Sequence, residues 1–124
     1  MIKVLLVDDH RLFLDALNFL IKAQPDFEVV GTAESIKAAA RKVNTLRPDL
    51  VLMDYQLAGA AGMDATRAIL DVHPSVNIVL LTLHEKENGL FDSIRFGVKG
   101  ILVKSMPSVE FLTSLRGLGQ GQAT

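Results

Sequence analysis

Short unbroken apolar runs alternate along the chain with longer stretches whose apolar residues recur every three or four positions. Ile2–Val7 is a continuous β-branched and leucine run, the pattern of a strand buried on both faces. Residues 11–23 follow, with Leu12, Phe13, Leu14, Leu17, Leu20 and Ile21 spaced for a helix that Pro25 stops. Phe27–Ala33 reads as a second strand with Gly31 near its end, and Ser35 as the N-cap of a helix over Ile36–Leu46. Pro48 closes that connection before a third strand at 50–53, which stops on Asp54. A Gly/Ala loop at 58–62 leads into a helix over Met63–Val72, closed by His73 and Pro74. Residues 76–81 form a fourth strand ending at Thr82, and 86–96 a weaker helix with Gly97 as its left-handed cap. A fifth strand at 101–103 ends at Lys104. Ser105 then caps a last helix over 107–118, with Val109, Leu112 and Leu115 as its core stripe and Phe111 and Leu118 widening it.

Five strand–helix units in succession imply an α/β fold: a doubly wound parallel sheet with helices on both faces. The expected strand order is 2-1-3-4-5, the flavodoxin-like arrangement, with ligands outside the carboxyl ends of strands 1 and 3. Residues 1–118 are expected to form one domain, and 119–124 a linker or disordered tail. No internal repeat interrupts them.

The chain has 124 residues, 49% of them apolar, which suffices for one core. Its formal net charge of −1 is spread along the sequence, so nucleic acid and anionic membrane are not expected as direct partners. The absence of cysteine excludes disulfides, thiolate zinc sites and a cysteine nucleophile. No apolar run approaches the ~20 residues of a membrane span, and the start lacks the regions of a signal peptide. A cytoplasmic domain is the expectation.

The residues that end the strands carry the chemistry. Asp8 and Asp9 close the first strand, Asp54 the third, Thr82 the fourth and Lys104 the fifth, all at one edge of the sheet. Three carboxylates converging there require cations. Lys104 supplies one charge, and a divalent metal would complete the balance. Oxygen donors without a needed histidine or cysteine point to Mg²⁺. Such a site suits phosphoryl transfer, with Asp54 as nucleophile and Thr82 swinging its hydroxyl onto a phosphoryl oxygen. Capping of the first helix would explain one of the two adjacent acids, but neither Asp54 nor Lys104. His10 and His84 lie near the site but are not needed as ligands, and read as surface or partly packed imidazoles. His73 reads as a helix-end residue. Residues 58–62 match neither phosphate-loop pattern.

The segments VLLVDDH, DLVLMDYQ, IVLLTLH and GILVKS, in that order and spacing, resemble the receiver domain of two-component response regulators. The likeness covers about residues 2–118. VDDHRLF and GMDATRAIL are most similar to the subfamily that often carries a C-terminal LuxR-type helix-turn-helix effector. The resemblance implies Asp54 as phospho-acceptor, Asp8, Asp9, Asp54 and the Gln56 backbone carbonyl around Mg²⁺, and Thr82 and Lys104 as phosphoryl contacts. It also implies a sensor histidine kinase as donor, no enzymatic turnover beyond self-dephosphorylation, and control of transcription. DNA is expected only through an effector domain that these residues do not include.

Departures from the family pattern bear on output rather than acceptance. Ile101 stands where an aromatic usually rotates inward, Ala58 where proline is usual, and bulky Leu83 follows Thr82. Gln56 and His84 are expected to flank the water path and set phosphate lifetime. Ile101 with the exposed part of the last helix offers a surface for a homodimer or an effector. The alternative is a phosphorylation-independent interaction module on the same fold. A Mg²⁺-dependent phosphatase would need a second acid just after Asp54 and a cap domain, and the sequence supplies neither.

Overall fold

The computed structural model describes residues 1–57, 63–83 and 97–120. Five parallel strands form one sheet: β1 (Ile2–Val7), β2 (Phe27–Ala33), β3 (Leu50–Asp54), β4 (Asn77–Thr82) and β5 (Val98–Val103), in the order β2-β1-β3-β4-β5. The described helices are α1 (Arg11–Lys22), α2 (Ile36–Leu46), α3 (Met63–Val72) and α4 (Ser108–Gly119). None of them is long and apolar enough to cross a membrane.

Strand side chains alternate between faces, so the parity of a residue number decides which helices it meets. Leu5, Val7, Val51, Met53, Ile78 and Leu80 join Ala39 and Val43 of α2 and Ala65 and Ile69 of α3. Val4, Leu6, Leu50, Leu52, Val79 and Leu81 join Leu14, Leu17 and Ile21 of α1 and Phe111, Leu112, Leu115 and Leu118 of α4. Burial on both faces is why the three central strands read as unbroken apolar runs. Removing water from such side chains contributes roughly 1.5–3 kcal/mol each, which is the main force holding the strand ends in place.

Local signals behave as the chemistry requires in most places. Ser35 accepts the Ala38 amide at 3.1 Å and caps α2. Arg47 ends α2 in the left-handed region, at φ 50°, and its guanidinium donates to the Val72 carbonyl at 2.7 Å. His73, at the end of α3, donates from its ring Nε2 to the Pro48 carbonyl at 3.0 Å.

Three expectations are corrected. β5 begins at Val98, three residues before Ile101, because Val98 pairs with Ile78 and Gly100 with Val79, with Lys99 the extra, bulged residue of β5. Ser105 does not cap the last helix: Pro107 is its N-cap, no side chain bonds there, and the helix starts at Ser108. Val109 is 75% exposed rather than part of the core stripe, which runs through Phe111, Leu112, Leu115 and Leu118. Gly97 has φ +107°; the helix expected before it lies outside the described residues.

Candidate functional site

Parity also builds the site. Asp8 continues the even positions of β1, Asp54 those of β3 and Lys104 those of β5, so all three face the α1 and α4 side. Backbone bonds prolong the ladder past the strand ends and fix these residues: Asp8 N–H donates to Ala33 at 3.0 Å, Tyr55 N–H to Leu81 at 2.8 Å and Lys104 N–H to Thr82 at 2.7 Å.

Lys104 Nζ lies 2.9 Å from Asp54 Oδ1 and 3.4 Å from Asp8 Oδ2, with all three side chains at most 9% exposed. The same nitrogen stands 4.5 Å from the centre of the Phe13 ring. Asp54 Oδ2 accepts the Leu57 amide at 3.3 Å. Asp8 Oδ1 accepts the His10 amide at 2.8 Å and lies 2.9 Å from His10 Nδ1. Asp9 is more open, with Oδ1 3.4 Å from His10 Nδ1. A groove of about 530 Å³ opens beside the cluster, lined by His10, Leu12, Phe13, Leu83, Lys104 and Ser105.

One ligand atom from each of Asp8, Asp9, His10 and Asp54 falls within 4.8 Å of the others. At such distances each pair of carboxylates repels by about 3 kcal/mol at an effective dielectric near 20. Lys104 offsets one of the three negative charges. Two remain, and hard oxygen donors match a divalent cation such as Mg²⁺ in both charge and chemistry. The residues fit that group.

The structure thus brings together Asp8, Asp9, Asp54 and Lys104. Thr82 is buried at the end of β4, opposite Val103 and of the other parity. Gln56 is exposed in the turn after β3. His84 and the loop at 58–62 lie outside the described residues. α1 has His10 as its N-cap with no side-chain cap bond, so neither aspartate caps it in the usual manner. Asp8 instead turns the loop by accepting the amide two residues on. Sequence reasoning placed His10 near the site as a surface or partly packed imidazole, which its exposed ring bears out, and left out Phe13. His10 is signalled only by that Asp-X-His spacing. Phe13 is signalled only by its place in the first helical turn, one turn before Leu17.

The family model described as the response regulator receiver domain matches residues 4–116. The chain belongs to this family, the signalling domain of two-component response regulators. It is 34% identical over 121 residues to the oxygen regulatory protein NreC of Staphylococcus aureus, covering 97% of this chain and 56% of NreC. To the transcriptional regulatory protein DegU of Brevibacillus brevis it is 30% identical over 122 residues, covering 98% of this chain and 52% of DegU. A crystal structure of a two-component response regulator of the LuxR family from Aurantimonas sp. SI85-9A1 superposes with TM-score 0.90 at 28% identity, over 99% of this chain and 88% of that one. The chain spans about half the length of both curated relatives.

Proposed function

We propose that the chain is a phospho-accepting switch in which Asp54 takes a phosphoryl group from the phosphohistidine of a sensor histidine kinase. The observation that carries this reading is Lys104 Nζ held 2.9 Å from Asp54 Oδ1 in a pocket with two further acids. An Asp54 carboxylate oxygen attacks phosphorus; the new P–O bond forms as the P–N bond breaks, and the departing imidazole takes a proton from solvent. Lys104 faces the phosphoryl oxygens, and Thr82, at the neighbouring strand end, offers its hydroxyl to one of them. Asp8, Asp9, Asp54 and the Gln56 carbonyl would hold Mg²⁺, which when bound adds positive charge against the phosphoryl oxygens.

The acyl phosphate raises the charge at residue 54 from −1 to roughly −2, and the change in the pocket is passed to a dimer or effector surface. Ile101 is half-buried and packed against the α2 and α3 side of the core, so the readout here does not use a swinging ring. The same reading takes residues 1–118 as the receiver, 119–124 as a linker or tail although the last helix runs one residue further, to Gly119, and the cytoplasm as its place. DNA would be reached only through an effector domain.

The test is mass spectrometry after incubation with Mg²⁺ and a small acyl-phosphate donor. The expected result is one added phosphoryl group on the wild type and none on Asp54→Ala. A gain that persists in Asp54→Ala overturns the assignment. Association measured with and without a beryllofluoride phosphate mimic then separates a switch from a phosphorylation-independent module, which would show identical states.

A further inference from the structure

We propose that the cavity between α1 and α4 is a regulatory ligand site for a small, neutral aromatic molecule of one ring, and that its occupant steadies Lys104 and speeds phosphoryl uptake at Asp54. The effect on uptake rests on the reading of Asp54 as phospho-acceptor; the ligand site itself does not.

The walls come from three parts of the chain. Phe13, Leu17 and Leu20 belong to α1, Leu81 and Val103 stand near the ends of β4 and β5, and Phe111 comes from α4. Leu17, Leu81 and Phe111 are buried, while Phe13, Leu20 and Met106 are partly exposed, which puts the mouth on their side. Together they enclose about 110 Å³. Protein interiors are packed to crystal density, with few voids larger than a water molecule, so this space beside a reactive lysine is room for an occupant. Water suits it poorly. A buried water needs roughly two to four polar partners. Among the described residues, the strongly polar side chains of the lining are Lys104, already committed to Asp54 and Asp8, and Ser108 at the exposed rim.

Size and charge select the ligand. An apolar cavity of about 150 Å³ lined by Leu, Ile and Phe stays dry and binds benzene. The smaller space here, open at its rim, holds one six-membered ring with an edge toward solvent. Phe13 and Phe111 supply the offset and edge-on contacts that aromatic rings prefer, and the unbranched Met106 adapts to what fills the gap. An anion would lie beside three carboxylates and a cation beside the Lys104 ammonium, so the ligand is neutral. The groove lined by Leu12 and Leu83 is larger, about 530 Å³, but these two apolar side chains are 85% and 53% exposed, and a single ring there would stay mostly wet. Occupancy reaches the phosphorylation site through shared walls. Phe13 and Lys104 both line the cavity, and Lys104 Nζ lies 4.5 Å from the centre of that ring and 2.9 Å from Asp54 Oδ1. A ligand packed against the ring restricts both side chains to the arrangement that meets the phosphoryl group.

The experiment titrates fluorobenzene, a single neutral ring, into the protein and follows it by fluorine and proton NMR. The wild type should bind with a dissociation constant on the order of 1 mM and show Overhauser contacts from the ring to Leu17, Leu20 and Met106. Leu20→Phe fills the space and should weaken binding at least about tenfold. Leu20→Ala enlarges it and should bind the bulkier para-fluorotoluene more tightly than the wild type does. Leu20 lies at the partly exposed edge of the core, so both variants are expected to fold. With fluorobenzene near saturation, phosphoryl uptake from a small acyl-phosphate donor should rise about twofold in the wild type and stay unchanged in Leu20→Phe. Absence of binding, equal fluorobenzene affinity in Leu20→Phe, equal para-fluorotoluene affinity in Leu20→Ala, or contacts to Leu12 and Leu83 instead overturns the ligand site. Binding in the cavity with no change in uptake overturns its regulatory role. If the wild type takes up no phosphoryl group with or without the ring, the reading of Asp54 fails, and the binding measurements still decide the cavity.

Discussion

At the scale of single residues, Lys104 is the side chain on which most depends. Its ammonium answers two buried carboxylates and rests over the Phe13 ring. Phe13 and Lys104 also line a cavity of about 110 Å³ between α1 and α4, so the ring is one of the surfaces that hold the lysine beside open space. A cation over an aromatic face contributes about 0.5–1 kcal/mol when partly exposed. Phe13→Leu should therefore lower stability by about that amount in urea unfolding, and slow phosphoryl uptake about two- to fivefold through a looser ammonium. Lys104→Met should abolish uptake outright, read on the same time course. A Phe13→Leu variant with unchanged uptake would show that the lysine is positioned by the acids alone. That Asp8, Asp9, Asp54 and Lys104 meet at one sheet edge was legible in the sequence because each interrupts an apolar run at a strand end. The part of Phe13 was not, since it depends on the angle at which α1 leaves the loop, which no spacing rule encodes.

At the scale of elements, legibility followed burial. β1, buried from Val4 to Val7, runs over the residues its apolar run marks, and β2 does so too, although this edge strand is fully buried only at Phe27 and Ala33. β5 did not, because Lys99 and Gly100 hide Val98 from the pattern while the backbone pairs it with β4. The start of α4 was misjudged for a related reason: serine before proline looks like a cap, yet the chain is still turning at Ser105, where the Met106 amide donates to the Val103 carbonyl at 3.1 Å. The entry to β5 is the most demanding of these junctions. Gly97 sits at φ +107°, and a Cβ added there would come within 2.7 Å of Leu70 on α3. Both effects act together in Gly97→Ala, and left-handed backbone alone costs about 1–2 kcal/mol with a side chain present. The variant should lose at least that much stability by its denaturant midpoint. A midpoint within error of wild type would mean that the junction relaxes by moving Leu70.

At the scale of the whole molecule, the strand order and the two-faced core were legible because buried alternation leaves few ways to stack five strand–helix units. What the sequence could not supply is how its distant ends are tied. Arg116 on α4 donates from Nε to Asp26 Oδ2 at 2.5 Å and from Nη2 to Gln24 Oε1 at 2.9 Å, bridging the last helix to the turn before β2. The guanidinium also lies 5.8 Å from the Phe27 ring. No pattern links positions 90 residues apart. The hydrogen bond from Arg116 holds the Asp26 carboxyl below its ordinary value of 3.8. A carboxyl depressed in the folded state adds stability that is complete above its unfolded value and is lost as pH falls through the folded one. The pair is partly exposed, so its effect is small and weakened by salt. Wild type should accordingly be more stable than Asp26→Asn at neutral pH in low salt. The gap should hold down to about pH 5 and close as pH falls below about 4, as urea midpoints across that range would record. A gap that stays constant to low pH would mean that Asp26 acts through packing against α4 rather than through its charge.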